Sequence, residues 1–396
     1  MPITFIPAVT VRIALTTDPF SDSPAWTDVS KDVEAIHIAR GRFHELDRLE
    51  AATATIKLKN TSGAYWPANA SGPHYGYLLP MKRVNIRATD LIAGTWDIYT
   101  GFIEAFRPGW ESLGGKGAYM EIDCACIVKC LSRRLLNDGG GYAQELSSVR
   151  VENVLDDLGW NATERTIGTG KTTLLASGAL ANANAMSHLF SVQDTEMGRL
   201  FMAGNGYVIF QNREHRLTGA RLISKSTWGD GVGECRYQKA EFSFDESFLY
   251  NDVRCTAEGG AEQVGSDAAS VTAYGQRSLS RTGLLFPTDS EALDQANYLL
   301  SRYKDPFQRV KELTILPATN AGDYWTKVLS YEISDRITVR LSPAGIDADY
   351  YIEGVSHDCD MRDGIWTTKW QLTPAEIFTY WLLDTDQLDT GTRLSW

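Results

Sequence analysis

Alternation with a period of two runs through most of the chain. Over residues 52–59, Ala52, Ala54, Ile56 and Leu58 fall on one face while Thr53, Thr55, Lys57 and Lys59 fall on the other. That pattern predicts a half-buried strand, because successive side chains of an extended chain point to opposite faces. Val84 and Ile86 alternate with Asn85 and Arg87 in the same way. So do Met120, Ile122, Cys124 and Cys126 with Glu121, Asp123 and Ala125, and Val253 and Cys255 with Arg254 and Thr256. Near the end, Ile337, Val339 and Leu341 alternate with Arg336, Thr338 and Arg340.

Helical spacing is rarer. Val151, Val154, Leu155 and Leu158 form one stripe, and Ala292, Ala296, Leu299, Leu300 and Tyr303 another. Thr288 and Glu291 make a capping-box pair before the second stripe, and Asp305-Pro306 stops it, since proline cannot continue the ladder. Ile127, Cys130, Leu131 and Leu135 predict a short helix after the strand that ends near Cys126. The stretch 258–283 is small, polar and rich in Gly and Ser, and reads as extended chain and loop.

Two parts of the chain match at an offset of 253 residues. Arg83-Val84-Asn85-Ile86-Arg87 corresponds to Arg336-Ile337-Thr338-Val339-Arg340, and Gly101-Phe102 falls opposite Gly354-Val355. Further strands follow at Tyr119–Ile127 and Trp366–Leu372. Generic β patterning is one source of such a match and a duplicated barrel-like domain is the other. The second is taken here, since barrel closure would remove exposed sheet edges. The expected fold is mainly β with α+β insertions: two antiparallel β-barrel domains plus inserted smaller domains. The first barrel is set at 1–133 and an inserted α+β domain at 134–245. The second barrel takes 246–257 and 329–378, interrupted by an insertion with one helix at 258–328. Residues 379–396 form a C-terminal tail.

Composition narrows the function classes. The 396 residues are 43% hydrophobic and 22% charged, ordinary globular values. No stretch approaches the roughly 18 apolar residues of a membrane span. Met1-Pro2-Ile3-Thr4-Phe5 lacks the basic start and apolar run of a signal peptide, so folding in a cytoplasm is expected, with the six cysteines as reduced core thiols. The net charge of −12 disfavours stable binding to nucleic-acid backbones.

Candidate chemistry is thin. Gly168-Thr169-Gly170-Lys171-Thr172-Thr173 has the look of a phosphate loop, but Arg165 stands where the motif needs its first glycine. His44-Glu45 begins like a zinc-protease helix, yet Arg48 replaces the second histidine. Cys124, Cys126 and Cys130 could bring three sulfurs together; core packing fits their alternation better. No Gly-x-Ser-x-Gly elbow occurs, and Asp156-Asp157 fits a solvated helix face. A glycosidase carboxylate pair would assemble only in the fold. No catalytic, cofactor or metal residue is therefore assigned. Trp366 and Trp370 share a strand face and, with Trp381 and Trp396, could line a sugar groove, a core or a subunit interface; the interface is the reading adopted, because aromatics are enriched there.

A string of segments completes the picture. It begins Trp26-Thr27-Asp28-Val29-Ser30, Gly41-Arg42, Ala54–Asn60, Gly63-Ala64-Tyr65-Trp66-Pro67, Pro80–Val84 and Tyr99-Thr100-Gly101-Phe102-Ile103. It continues with Leu155–Trp160, Thr195–Phe201, Phe210–Arg213, Asn251-Asp252-Val253, Tyr274-Gly275, helix 291–303, Ile333-Ser334-Asp335 and Trp366 through Pro374. In this order, over roughly residues 25–375, the chain resembles the tail-hub or minor tail proteins of siphophages, which are similar in fold to the baseplate hubs of contractile tails. The resemblance implies two tail-tube-like barrels per protomer and a homotrimer forming a pseudo-hexameric ring at the virion tail tip. It also implies a distal tail protein ring, a tail tube protein, a tape-measure protein and fibre or tip proteins as partners, with genomic DNA only in transit. Relatives often continue into fibre or lysin domains whereas this sequence stops at Trp396, which puts a receptor-binding or wall-degrading role in doubt. A β-rich carbohydrate-binding adhesin and a cell-wall hydrolase are the competing readings.

Overall fold

Six strands near the start carry the period-two pattern into a sheet. They are β1 (Ala8–Ile13), β2 (Val33–Gly41), β3 (Thr53–Lys59), β4 (Arg83–Asp90), β5 (Gly94–Trp110) and β6 (Ala118–Ala125). The computed structural model describes residues 6–48, 50–111, 117–136, 141–178, 180 and 182–375, and at 320–322 the backbone alone. The six strands lie in the order β2-β3-β6-β5-β4-β1. Ala54, Ile56, Leu58, Met120, Ile122 and Cys124 are all buried, on the face their alternation predicts. β5 is long because it serves two neighbours: residues 94–102 pair with β4 and 102–110 with β6.

An α+β unit follows. It contains α1 (Ile127–Leu131), α2 (Ser147–Asp157), β7 (Arg165–Ile167), α3 (Ala185–Glu196), β8 (Arg199–Met202) and β9 (Val208–Gln211). Val151, Val154 and Leu155 turn the apolar stripe of α2 into the same buried cluster as the first module. The next two strands, β10 (Thr227–Trp228) and β11 (Lys239–Ser243), lie inside the range expected for this unit but pair elsewhere, with later strands.

The stretch expected to be extended and partly loop is ordered. β12 (Asp252–Ala257), β13 (Glu262–Ser266) and β14 (Ser278–Leu284) form a three-stranded sheet, with α4 (Ala268–Tyr274) between the last two. α5 (Asp289–Tyr303), opened by the Thr288/Glu291 capping box, covers that sheet with Ala292, Ala296 and Leu299. Residues 252–257 thus belong here and not to the second barrel. Val253 and Cys255 bury against α5, which supplies the apolar cover that small residues of β13 and β14 cannot.

The chain ends its described part with β15 (Arg309–Ile315), α6 (Ala321–Ser330), β16 (Arg336–Leu341), β17 (Ile346–Asp360) and β18 (Ile365–Pro374). Region 258–328 therefore carries α4, α5 and most of α6 rather than one helix, and β15 within it joins the second module's sheet. The tail 379–396, with Trp381 and Trp396, lies outside the described residues.

The second module repeats the first. Its order is β11-β15-β18-β17-β16-β10, strand for strand that of β2-β3-β6-β5-β4-β1. One difference is that β10 runs parallel to β16 whereas β1 runs antiparallel to β4. The kinship extends to an irregularity: Ile103 faces Cys124, Glu104 is bulged out, and Ala105 faces Asp123. In the second copy Ile352 faces Leu372, Glu353 is bulged out, and Gly354 faces Gln371. Bulges of this kind bend a strand and are built features of a fold. Arg83 and Arg336 correspond, but Ile103 lies twenty residues after the first and Ile352 sixteen after the second. The second hairpin is shorter, so the true counterpart of Ile103-Glu104 is Ile352-Glu353, and Gly101 is not the counterpart of Gly354.

Barrel closure is where the expectation fails. Residues 354–360 of β17 pair with β18 on one side and with β2 on the other, so both modules share one thirteen-stranded sheet that also includes Thr27-Asp28. Its path is open among the described residues. The outer edge of β2, which closure of the first module would need, is taken by the second module instead.

Candidate functional site

Backbone pairing between β2 and β17 makes the junction of the modules. Gly354 through Asp360 run antiparallel to Gly41 through Ala35. Val355, His357 and Cys359 are buried there, as are Ile36 and Ile38 opposite. Trp366 closes over His357 and meets Trp325 edge-on, with ring centres 5.6 and 5.3 Å apart. On the other face, His37 Nδ1 and an Asp358 carboxylate oxygen lie 2.5 Å apart. That hydrogen bond raises the histidine's pKa, and with it the charged share of the pair.

An ionic cluster locks the same junction from inside. The bulge turns Glu353 into the interior, fully buried, where Arg42 Nε donates to it at 3.0 Å and Arg216 also donates. Arg199 stands 4.0 Å away. Burial pushes the Glu353 carboxyl up, but Arg216, Arg42 and Arg199 together outweigh it and hold it well below the usual range. Arg42 follows β2, Arg199 opens β8 and Arg216 follows β9, so one carboxylate ties three parts of the chain. Next to it, Glu45 accepts from Arg302 at 2.7 and 2.9 Å and from the Tyr303 hydroxyl, which ties α5 to the group. Arg40 of β2 donates to Glu332 at 2.8 Å, and Asp335 holds Lys225 at 2.6 Å and also Arg221. Buried charges of this sort add less net stability than their number suggests, because desolvation offsets much of the attraction. The sequence carries no periodic signal for them.

The candidate motifs resolve into structure. Backbone N–H groups of Lys171 and Thr172 donate to the buried Glu196 carboxylate at 2.8–3.2 Å. The loop that looks like a phosphate loop thus wraps an internal carboxylate. His44 stacks on Phe248 with ring centres 3.4 Å apart, and burial takes its pKa down to about 4. Cys124 and Cys126 pack in the core, where burial pushes both thiols up, Cys126 to about 11. Cys130 lies half-buried with its sulfur 4.0 Å from that of Met81. Among the described residues no group of His, Cys, Asp and Glu is arranged to hold a metal ion. Asp156 pairs with Arg165 and Asp157 accepts from Tyr142, so the two carboxylates work apart.

The tryptophans need correcting. Trp366 is 1% exposed and Trp370 0%, enclosed by the chain's own fold and unavailable to a neighbour. Trp370 stacks on Tyr331 and meets Trp228 edge-on. Strand β18 is covered on this face by α6 and β10, neither of which falls within the range expected for the second module in full. Exposed apolar side chains lie elsewhere, at Trp110 (50%), Phe242 (50%) and Phe244 (69%).

No protein-family model matches the chain. No curated protein matches it in sequence. Solved structures match over nearly its whole length. The tail protein from Neisseria meningitidis MC58 superposes with a TM-score of 0.61 at 12% identity, covering 93% of this chain and 96% of that one. The tail protein of prophage MuSo2 from Shewanella oneidensis gives 0.59 at 11% identity, covering 92% and 98%. The prophage tail protein gp18 from Listeria monocytogenes EGD-e gives 0.50 at 11% identity, covering 93% and 96%. The chain has the fold of phage tail proteins.

Proposed function

We propose that the chain is a structural, non-enzymatic hub protein of a phage tail tip. Three copies, each with two matching modules, form a pseudo-hexameric ring that continues the six-fold tail tube. The observation that carries this reading is the repeated module: two six-stranded units of one order, joined edge to edge in one chain. A protomer built from two such units offers six quasi-equivalent positions in a ring of three. The fold shared with prophage tail proteins supports the setting.

On this reading the protein assembles in the host cytoplasm and resides at the virion tail tip. The ring stacks on a distal tail protein and the tail tube protein, receives the end of the tape-measure protein, and anchors fibre or tip proteins. DNA passes without stable binding, as the net charge of −12 favours. A lumen lined by more lysines and arginines than acids would contradict that last point. Light scattering and negative-stain microscopy of the purified protein test the whole reading. A mass of three chains with an axial pore is expected, and a glycan-binding monomer would replace the hub by the adhesin.

A further inference from the structure

The junction inside one protomer points to the junction between protomers. In the chain, the second half of β17 adds to the outer edge of β2. The bulge equivalence sets Phe106, Pro108 and Trp110 of β5 in the places of Val355, His357 and Cys359. The shared strand order sets β11 in the place of β2, with Ala240 facing Leu313 as Ile36 faces Ile56. Residues 105–110 of β5 pair with β6 alone, and β11 pairs with β15 alone, among the described residues. One half of the internal joint is thus left open on each module.

Both open edges are apolar where their counterparts are buried. Trp110 is half exposed and Pro108 exposed, whereas Cys359 and His357 are enclosed. Phe242 and Phe244 are exposed, whereas Ile38 and Arg40 are buried. A lone apolar side chain on a surface means little, but two bare strand edges with rows of them are pairing sites that a protein must cover or blunt. The backbone of β5 is oriented for it. Asn60 N–H donates to Ala118 O and Cys126 N–H to Ala52 O, so the even residues of β6 face β3. Met120 faces the same way, and its partner Pro108 turns its backbone to the open side. Proline there removes no bond from the β5–β6 ladder, but it has no N–H to give across the open edge, so the joint proposed below makes one backbone bond fewer than the internal one, where His357 stands in its place.

We propose that residues 105–110 of one copy pair antiparallel with β11 of the next copy. The register transferred from the internal joint sets Phe106 opposite Phe244, Pro108 opposite Phe242 and Trp110 opposite Ala240, which brings Glu111 opposite Lys239. The two edges belong to different modules, so the contact is head-to-tail rather than two-fold, the kind of contact a ring of three requires. This rests on the ring reading and specifies its interface.

The test uses the full-length protein carrying Trp110→Cys and Ala240→Cys together. Hydrogen-bonded antiparallel partners stand about 5.5 Å apart between Cα atoms, within disulfide reach. Mild oxidation should give covalent dimer and trimer on a non-reducing gel. Either single variant, the wild type with its native thiols, and the off-register pair Trp110→Cys with Ser243→Cys should not. In parallel, Phe242→Lys with Phe244→Lys should reduce the mass in solution from three chains to one with circular dichroism and melting unchanged. A three-chain mass with no crosslink, and no effect of the two lysines, would overturn this pairing and leave the ring. A monomer at every concentration would overturn both.

Discussion

Glu353 occupies in the second module the bulge that Glu104 occupies in the first, yet the two carboxylates live in opposite surroundings. Glu104 is partly exposed and, among the described residues, paired with Lys129, while Glu353 is enclosed among Arg42, Arg199 and Arg216. The first bulge looks onto an open strand edge and the second onto the module junction. Substituting Glu353→Gln leaves the buried Arg42 and Arg216 without their anion, while Arg199 keeps Glu45 at 3.7 Å, and a loss of about 3–5 kcal/mol is expected. Glu104→Gln should stay within about 0.5 kcal/mol. Urea unfolding of both variants checks the contrast, and equal effects would refute the clamp.

Acid should unfold the protein in two overlapping stages. Burial depresses His44 and His188 to about 4, and His357 to about 3. Trp366 donates its indole N–H to His357 Nδ1 at 3.3 Å, which requires that nitrogen to be unprotonated. Below the ordinary value of 6.5 the unfolded chain takes up protons that the folded one refuses, so stability falls as pH drops through that value toward the folded ones. Each such histidine contributes at most about 1.4 kcal/mol per pH unit. The carboxylates act lower: Glu45, brought down to about 2 by Arg302, His44 and Arg199 against its burial, is fully stabilising above its ordinary 4.5 and loses that as pH falls toward 2. Exposed His37 has the opposite sign, stabilising below 6.5 and fading as pH rises through its raised value. Denaturant midpoints between pH about 7 and about 4 should decline, and His357→Gln should flatten the decline. A midpoint constant over that range would rule out neutral buried histidines.

Much of this was legible in the chain and some was not, for physical reasons. Period two found β3, β4, β6, β12 and β16 because each buries its apolar face, although β4 buries Arg83 and Asn85 of its polar face as well. The capping box found the start of α5. The duplication showed at Arg83 and Arg336, since both open a strand after a polar turn, but a fixed offset misplaced Gly101 against Gly354 because hairpin lengths drift. Residues 258–283 read as extended and partly loop, which suits β13 and β14, but α4 between them was not legible since small residues give no stripe. Barrel closure could not be read at all: the same half-buried pattern serves a strand paired within its module or across modules. Glu353 and its arginines come from scattered positions with no shared period.

Trp366 and Trp370 supply a direct test of core against interface. Each fills a buried space among other rings, Trp325 and His357 for the first, Tyr331 and Trp228 for the second. Truncation to alanine should cost about 3–5 kcal/mol at either position. Trp110→Ala, which gives up one edge-on contact with Trp66, should cost the isolated protomer no more than about 1.5 kcal/mol. Urea unfolding separates the two classes. If Trp366→Ala or Trp370→Ala altered association while leaving unfolding untouched, neither ring could be buried in its own protomer.

Gly41 is the last residue of β2 and lies directly against the backbone of β17. Its φ is +96°, and a Cβ there would stand 2.2 Å from Glu353 O and 2.7 Å from Gly354 Cα. Both obstacles are backbone, and Glu353 O already accepts from Arg42 N–H at 3.0 Å, so neither can yield without opening the junction. Gly41→Ala therefore combines a backbone penalty of about 1–2 kcal/mol with a packing penalty of about 1–3 kcal/mol. Gly76→Ala isolates the first penalty, since Gly76 has φ +81° and nothing within 4 Å of its would-be Cβ. The expected result is that Gly41→Ala lowers the denaturation midpoint well beyond Gly76→Ala. Equal losses would mean that β2 and β17 do not meet at that distance. The internal joint would then fall, and with it the intermolecular pairing whose register it supplies.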